Sequence, residues 1–263
     1  MIEGQLSIFD LGVDKENDMN ETALTNERTN ERFIYAPQLK VPNIHLINDD
    51  FRNHIDFFRH QKNVIIVTDP PFNVGYHYGS YKDNMDEMEY YKMLSDLIRL
   101  FPCVFIHYPE ALHRISIESK EVPTKVCSWV YNSNTAKQHR DIAFYRVVPD
   151  FSQVRQPYKN LKDKRIQERI KRGIKGGRLY DWWNVNQVKN VSKTKTSHPC
   201  QMPLEVMKNI VATLPKDSTI IDTFMGSGTT AQACIDLGYD FIGCEMDQEY
   251  YEIAKRRINA YEN

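Results

Sequence analysis

The sequence predicts an α/β protein built on a doubly wound, mostly parallel β-sheet. Three short runs rich in branched apolar residues are typical of buried strands: NVIIVT (63–68), STIIDTF (218–224) and YDFIGCE (239–245). Between the predicted strands the apolar residues take helical spacing, most clearly at residues 86–101. Strands that alternate with helices favour a sheet with helices packed on both of its faces.

The other elements follow from equally local signals. Further strands are predicted at residues 45–51, 103–108, 125–131 and 141–147. Pro203 suits the first position of a helix, so the sequence predicts a helix over residues 203–214. A glycine turn near residue 226 opens another helix, and Asp247 stands where it can cap the last one.

Composition excludes several classes of protein. The 263 residues carry a net charge of −1, which is not that of a protein coated with positive charge for nucleic acid. None of the five cysteines forms a CxxC pair and the histidines form no ligand pattern, so neither a metal site nor a disulfide framework is indicated. No apolar run approaches the roughly 20 residues that span a bilayer. The first residues lack the pattern of a signal peptide, and a reducing cytoplasm is the expected location.

A stiff acidic loop follows the predicted strand at residues 63–68. Its sequence is Asp69, Pro70, Pro71 and Phe72, and neither proline can donate a hydrogen bond to a neighbouring strand. The loop presents a carboxylate, a backbone carbonyl and an aromatic ring at the carboxyl edge of the sheet. These groups suit a flat polar ligand. The simpler interpretation is a turn that only ends the strand.

A second loop with binding potential lies between the last two predicted strands. Gly226 and Gly228 let a ligand approach the backbone closely. Glu245 lies 17 to 19 residues further on, where dinucleotide-type folds hold a ribose diol. A P-loop is a competing interpretation, but the sequence GSGTT has no lysine for phosphates. A tight turn followed by an acid that caps the next helix is the simpler one.

Five segments, taken in order, resemble the motifs of the DNA amino-methyltransferases, which methylate adenine N6 or cytosine N4 and use S-adenosylmethionine. DPPF (69–72) resembles the catalytic (D/N/S)PP(Y/F/W) tetrapeptide, and DTFMGSGTT (222–230) resembles the cofactor motif DPFxGSGTT. The other three segments are DWWNVNQVKN (181–190), SHPCQMP (197–203), which resembles HPTQKP, and GCEMDQEYYEIAKRRI (243–258). The catalytic loop precedes the cofactor loop, which is the permuted order of the family's β group. The similarity spans residues 43–260.

This resemblance implies a Rossmann-like methyltransferase fold and assigns roles to residues. Asp69, Pro70, Pro71 and Phe72 would be catalytic, with the Asp69 carboxylate and the Pro70 carbonyl accepting the two N–H bonds of an exocyclic amine. Phe72 would stack on a base that is flipped out of the duplex. The cofactor would be bound by Asp49, Gln201, Asp222, Phe224, Gly226, Ser227, Gly228, Thr229 and Glu245. Asp49 and Asp50 both end the strand and could contact the cofactor's adenine; Asp49 fits best, and a simple helix cap is the alternative.

The chain departs from the family pattern at four positions. Thr223 replaces a proline and Met225 a small residue in the cofactor loop. Cys200 and Met202 replace threonine and lysine in the HPTQKP-like segment. Backbone groups do much of the holding in such a pocket, so we expect the pocket to survive. The missing lysine removes one expected contact with the carboxylate of the cofactor.

The region between the two loops, at about residues 132–196, is predicted to recognise the target sequence in double-stranded DNA. Residues 155–178 hold ten Lys or Arg against two acids. Such an excess indicates a surface that faces phosphates, and a solvated helix face is the alternative. The residues expected to contact DNA are Lys162, Lys164, Arg165, Arg169, Lys171, Arg172, Lys175 and Arg178.

The first 32 residues are predicted to form a disordered tail ahead of a methyltransferase domain at residues 33–263. Residues 10–32 have no aromatic side chain and are rich in Asn, Glu and Asp. QLSIF (5–9) resembles the pentapeptide that binds the bacterial sliding clamp, which makes the clamp an expected partner through Gln5 to Phe9. An arm that packs on the protein's own surface is the alternative. A homodimer, frequent among relatives of this kind, is left open.

The function that these inferences predict is site-specific transfer of a methyl group from S-adenosylmethionine to N6 of a flipped adenine. In the family DPP(Y/F) goes mostly with adenine, and SPPY mostly with cytosine. N4-cytosine methylation is therefore the nearest alternative. A non-catalytic DNA-binding protein that keeps the cofactor fold, or a nucleotide-binding regulator, would be of a different class.

Overall fold

The computed structural model describes residues 33–36, 38, 40–78, 81–188 and 195–260. The predicted tail with its clamp-like peptide, and residues 189–194 of the predicted recognition region, lie outside the described residues. The chain divides into two compact units, a larger one of residues 38–149 and 181–263 and a smaller one of residues 1–37 and 150–180. Of the helices that the structure describes, none is long and apolar enough to cross a membrane.

The described strands and helices alternate along most of the chain. The strands are β1 (Ile34–Tyr35), β2 (Ile44–Ile47), β3 (Val64–Thr68), β4 (His77–Tyr78), β5 (Tyr81–Lys82), β6 (Cys103–His107), β7 (Lys125–Val130), β8 (His139–Tyr145), β9 (Val154–Gln156), β10 (Gly177–Arg178), β11 (Trp182–Asn184), β12 (Thr219–Asp222) and β13 (Asp240–Cys244). The α-helices are α1 (Ile55–Arg59), α2 (Glu87–Leu100), α3 (Pro109–Ser119), α4 (Lys164–Lys171), α5 (Leu204–Ala212), α6 (Thr229–Leu237) and α7 (Gln248–Asn259). Short 3-10 helices occupy Phe51–His54 and Phe151–Gln153.

Eight strands of the larger unit form one mixed sheet in the order β11-β7-β8-β6-β3-β12-β13-β2. All neighbours pair in parallel except β8, which runs antiparallel to both β6 and β7. The turn from β7 to β8 is too short for the crossover that a parallel pair needs, so β8 has to reverse. The predicted α/β fold with a mostly parallel sheet is confirmed.

The two predicted functional loops leave neighbouring strands at the centre of this sheet. β3 and β12 pair in parallel, with Val64 opposite Thr219 and Ile66 opposite Ile221. Both strands are buried along nearly their whole length, as their branched apolar residues require. Their carboxyl ends therefore open at the same edge of the sheet, where ligands bind in folds of this class.

Helices α2 and α3 pack together and cover the sheet near the first of these loops. Asp86 begins α2 by accepting hydrogen bonds from the backbone N–H groups of Met88 and Glu89. The helix buries Leu94 and Ile98 of the predicted apolar face, whereas Met88, in the first turn of the same face, is exposed. Helix α3 was not predicted, because its apolar residues are few and follow directly on a strand.

The smaller unit combines a three-stranded antiparallel sheet, in the order β1-β9-β10, with helix α4. Asp163 caps α4 through the backbone N–H of Arg165, and no residue of the helix is buried. Residues 132–149 and 181–188 belong to the larger unit. The compact unit at 150–180 is thus narrower than the predicted recognition region at 132–196.

Candidate active site

The proline loop at residues 69–72 and the cofactor loop that follows β12 are joined through a buried carboxylate. Asp222 accepts hydrogen bonds from Thr68 Oγ1 at 2.7 Å and from Thr230 Oγ1 at 2.5 Å. It also accepts the backbone N–H of Phe224 at 3.1 Å. Burial raises the pKa of Asp222, and these hydrogen bonds partly oppose the rise. Asp222 therefore fixes the end of β3 to the start of the cofactor loop.

Tyr90 and His107 hold the proline loop from the side of α2 and β6. The Tyr90 hydroxyl donates to the Pro71 carbonyl at 2.7 Å and lies 2.8 Å from His107 Nε2. The backbone N–H of Tyr108 donates to His107 Nδ1, and burial lowers the pKa of His107 to about 3, so the ring is neutral. Its single proton is then assigned to Nε2, which donates to Tyr90. Each polar group in this series of hydrogen bonds has a partner, and the series therefore holds the proline loop rigidly.

Asp69 is largely buried and lies beside the guanidinium group of Arg140. Its Oδ2 is 3.2 Å from Arg140 Nη1, and only 16% and 13% of the two side-chain surfaces are exposed. Burial raises the pKa of Asp69 to about 6, although Arg140 lowers it. The other oxygen, Oδ1, is buried and has no hydrogen-bond partner within the part of the chain that the structure describes. Asp69 thus offers an unused acceptor inside the molecule.

Phe72 packs among other flat groups. Its ring stacks on His107, with 4.3 Å between ring centres and 29° between ring planes. The Tyr108 ring meets it edge-on at 4.9 Å, and the guanidinium carbon of Arg140 lies 4.6 Å from its centre. Phe72 is thus surrounded by His107, Tyr108 and the guanidinium group of Arg140, and its role as a stacking surface for a base stays a prediction.

The cofactor loop is shaped by Glu245 and Gly226. Glu245 Oε2 accepts the backbone N–H of Gly226 at 2.8 Å, and Oε1 accepts that of Asp247 at 2.9 Å. Burial raises the pKa of Glu245, and the two backbone hydrogen bonds oppose the rise. Gly226 has a φ of 53°, in the region where side chains are strained, and a Cβ here would lie 3.0 Å from His198. The loop therefore needs both the glycine and the acid.

Arg257 of α7 supports the same loop from the other direction. Its Nη1 donates to the Ser227 carbonyl and to Thr229 Oγ1, each at 2.8 Å. The loop glycine at the start of α6, Gly228, has a φ of 76°. A Cβ on Gly228 would lie 3.0 Å from Ala254, so α7 packs against the loop too closely for a side chain there.

Both loops line one cavity of about 370 Å³. Ten residues singled out from the sequence lie on its wall: Asp69, Pro70, Pro71, Phe72, Asp222, Phe224, Gly226, Ser227, Thr229 and Glu245. The residues predicted to be catalytic and most of those predicted to bind the cofactor therefore line one cavity.

Three residues predicted to bind the cofactor do not line this cavity. The cavity is lined by Asp50 and not by Asp49, whose carboxylate bonds His54 and Asn53. Gln201 is buried and its Oε1 accepts from the backbone and side chain of Thr196, so it braces its own turn. Gly228 shapes the loop and is not on the cavity wall.

Other residues of the site were missed from the sequence. Arg140, Tyr90 and His107 reach the proline loop from distant elements, and no local pattern marks them. Asp50, the second acid that the sequence offers after β2, lines the cavity and caps the 3-10 helix at Phe51–His54, and Asp49 does neither. The acid predicted from the sequence, Asp49, and the acid that lines the cavity, Asp50, thus differ by one position after β2.

The eight basic residues expected to contact DNA all lie in the smaller unit and are exposed. Lys164, Arg165, Arg169 and Lys171 belong to α4. Exposure does not distinguish the two interpretations, because a surface that faces phosphates and a solvated helix face are both exposed. The assignment to DNA therefore stays a prediction.

Comparison with known proteins identifies the family. The family model N6_N4_Mtase, described as DNA methylase, matches residues 109–256. A curated relative, the type II methyltransferase M.HpaI of Haemophilus parainfluenzae, is 25% identical over 218 residues, which are 74% of this chain and 68% of that protein. Other curated relatives align over about a third of their own length.

Solved structures show the same fold. The M1.HpyAVI–SAM complex has a TM-score of 0.54 and 23% identity, covering 81% of this chain and 99% of that one. The PvuII DNA methyltransferase, described as cytosine-N4-specific, has a TM-score of 0.57 and 14% identity, covering 85% and 90%. With more than half of its length matched by the family model, this chain belongs to the N6/N4 DNA methylases, a family whose methyl donor is S-adenosylmethionine.

Proposed function

We propose that this protein is a site-specific DNA methyltransferase that methylates the N6 amino group of adenine in double-stranded DNA. One observation carries the proposal. Among the residues that the structure describes, the buried Asp69 carboxylate has no hydrogen-bond partner for Oδ1, and the cofactor loop lines the same cavity. A buried acceptor of this kind is costly unless a ligand donates to it.

The residues of the cavity fit S-adenosylmethionine. Glu245 and Asp50 are acids suited to hydroxyl and amino groups of an adenosine moiety. Phe51 and Phe224, whose rings meet edge-on at 5.2 Å, form an apolar wall for its purine. When bound, this cofactor supplies a sulfonium methyl group that is already activated for transfer.

The protein's own contribution is to position and polarise the amine. An exocyclic amine is a weak nucleophile, because its lone pair is delocalised into the ring. Asp69 Oδ1 and the Pro70 carbonyl each accept a hydrogen bond from one of the two N–H groups, which draws the nitrogen toward tetrahedral geometry and frees its lone pair from the ring. The neighbouring Pro71 carbonyl is held by Tyr90, so the loop does not have to be ordered as the reaction proceeds.

A base inside a duplex cannot reach this loop, so the target has to be flipped out at a cost of a few kcal/mol. We assign the phosphate contacts to the basic residues of the smaller unit, led by α4. The net charge of the whole chain is near zero, so such a local surface is what would attract DNA.

Adenine is favoured by the sequence DPPF, in which aspartate occupies the first position. The fold does not discriminate, since the PvuII enzyme is cytosine-N4-specific. N4-cytosine methylation is thus the second candidate. Digestion of modified DNA to nucleosides, followed by mass spectrometry, separates N6-methyladenine from N4-methylcytosine.

The experiment that tests the proposal measures transfer of labelled methyl from S-adenosylmethionine to unmethylated genomic DNA. Asp69→Ala should lose transfer while the affinity for the cofactor is retained. Asp56→Ala, on an exposed face of α1, is a matched control that should not change transfer. A wild-type protein that binds cofactor and DNA but transfers no methyl would instead support the non-catalytic alternative.

We also propose that QLSIF at residues 5–9 binds the bacterial sliding clamp. Deletion of residues 1–12 should abolish co-purification with the clamp and leave methylation of naked DNA intact. Unchanged clamp binding after the deletion would rule this out.

A further inference from the structure

Arg140 contacts the same two side chains, Asp69 and Phe72, that the proposed function assigns to the target base, although it bonds Asp69 Oδ2 and the base would use Oδ1. Its Nη1 donates to Asp69 Oδ2 at 3.2 Å, and its guanidinium carbon lies 4.6 Å from the centre of the Phe72 ring. A flipped base would donate an N–H to Asp69 and stack on Phe72. The guanidinium group is also flat and also carries N–H donors at its edge.

The position of Arg140 follows from the sheet. It lies on β8 opposite Trp129 of β7, and its guanidinium carbon is 5.3 Å from the Trp129 ring centre. His107 already stacks on Phe72. The guanidinium lies 4.6 Å from the centre of the same ring, so a base that stacks on Phe72 at that place has to displace it.

The pair of Arg140 and Asp69 is not arranged as a permanent structural ion pair. Strong arginine–carboxylate pairs are usually bidentate, with the remaining donors satisfied. Here a single hydrogen bond joins the side chains, while Asp69 Oδ1 and Arg140 Nε are buried with no partner among the described residues. The other contact of Nη1 is with the sulfur of Met202 at 3.7 Å, which is a weak acceptor.

Resting on the proposed function, we propose that Arg140 is an internal placeholder in the target-base site. Its guanidinium fills the site when no DNA is bound, and it leaves when a flipped amino base stacks on Phe72 and donates to Asp69 Oδ1. The site therefore accepts flat groups with an N–H donor at the edge, such as adenine, cytosine or a guanidinium ion. Thymine would turn an acceptor oxygen toward the carboxylate.

The test uses the guanidinium ion itself as a probe. Methyl transfer by Arg140→Ala is measured against the concentration of unmethylated genomic DNA, with low-millimolar guanidinium chloride or with sodium chloride at equal ionic strength. We expect guanidinium to raise the KM of Arg140→Ala for DNA several-fold without lowering its kcat, because the ion competes with the base. The wild type should respond alike to the two salts.

Arg114→Ala is the matched control. Arg114 also lies 4.6 Å from an aromatic ring centre, that of Tyr91, and also pairs with a carboxylate, Glu87, but on the outside of α2 and α3. This variant should respond to guanidinium as the wild type does. If guanidinium instead increases methyl transfer by Arg140→Ala, the ion replaces a side chain that is needed in the site during the reaction. The placeholder proposal is then wrong. The same holds if the ion has no effect on that variant.

A second measurement does not depend on methyl transfer. Titration calorimetry should detect binding of guanidinium and of free adenine to Arg140→Ala but not to the wild type. If folded Arg140→Ala binds neither guanidinium nor adenine, the placeholder proposal is wrong. If Arg140→Ala binds them but the wild type transfers no methyl group, the proposed function is wrong. If loss of the buried cation prevents Arg140→Ala from folding, Arg140→Gln, with a shorter neutral side chain, takes its place in both measurements.

Discussion

Tyr90 and His107 are joined by a hydrogen bond of 2.8 Å, and through it two distant elements hold the proline loop. The first prediction concerns this contact. Tyr90→Phe leaves the Pro71 carbonyl and the His107 Nε2–H unpaired in a buried place, which costs about 1–3 kcal/mol for each group. We expect lower stability in urea denaturation and a kcat at least roughly tenfold lower, with little change in cofactor affinity.

Tyr91→Phe controls for the loss of a hydroxyl on the same helix. The Tyr91 ring faces Tyr90 and Arg114. If Tyr90→Phe and Tyr91→Phe lower kcat equally, the hydrogen bond to the loop is not what matters.

The second prediction is a pH dependence set by Asp69. Burial raises its pKa to about 6, against the attraction of Arg140 and with the repulsion of Asp222. The carboxyl is ionised above that pH and protonated below it, and only the ionised form leaves both oxygens as acceptors. The value of kcat/KM should therefore fall roughly tenfold per pH unit below about pH 6.

Two comparisons isolate Asp69 in this profile. Asp69→Asn cannot titrate, so any residual activity should lack the acidic limb. Cofactor affinity, measured over the same pH range, reports separately on Glu245, whose pKa burial also raises. An acidic limb that persists in Asp69→Asn would assign the titration to another group.

The third prediction concerns the cofactor loop. Glu245→Gln replaces one of two acceptor oxygens by an NH₂ group, which then faces the backbone N–H of Gly226 or Asp247. Two opposed donors reshape the loop, and we expect the cofactor Kd to rise by roughly 10-fold or more. Calorimetric titration with S-adenosylmethionine measures this change.

Glu249→Gln is the control for charge in this region, since Glu249 is an exposed acid in the first turn of α7. A similar loss of affinity in Glu249→Gln would indicate a general effect of charge, and the specific contacts of Glu245 would not be needed to explain it.

The fourth prediction concerns the basic surface of the smaller unit. Arg169→Gln removes one positive charge from α4, and the slope of log affinity for DNA against log salt should become shallower by about one. Binding should weaken similarly for all DNA sequences, because phosphates carry no sequence information. Fluorescence anisotropy at several salt concentrations measures the slope.

Glu168→Gln, the neighbouring acid on α4, should instead strengthen binding slightly. Identical salt slopes for the wild type and Arg169→Gln would place this surface away from the phosphates.

Local patterns were sufficient to predict the central strands. The predicted strand at residues 63–68 is β3 at Val64–Thr68, and the one at 103–108 is β6 at Cys103–His107. These runs are buried on both faces, so their composition alone marks them. Strands of two or three residues, such as β9 and β10, form only because a partner is present, and no local pattern predicts them.

The candidate site likewise contains residues that local sequence patterns predict and residues that only the tertiary structure brings there. Residues of the two loops could be predicted, because each loop carries its chemistry in consecutive positions. Arg140 could not, since it meets Asp69 only after β8 has paired with β6 and β7. Gln201 and Gly228 were placed in the right segment, but which side of a turn faces the cavity depends on contacts with Thr196 and Ala254.

The adjacency of β3 and β12 has a consequence for how such proteins diversify. The two loops meet because their strands lie side by side, although about 150 residues of chain separate them, and the smaller unit at 150–180 is inserted between the two strands. Replacement of that insertion by a relative's counterpart alters neither strand. If the smaller unit contacts DNA as we propose, new target preferences can arise by exchange of this insertion, while the two loops at the sheet edge stay unchanged.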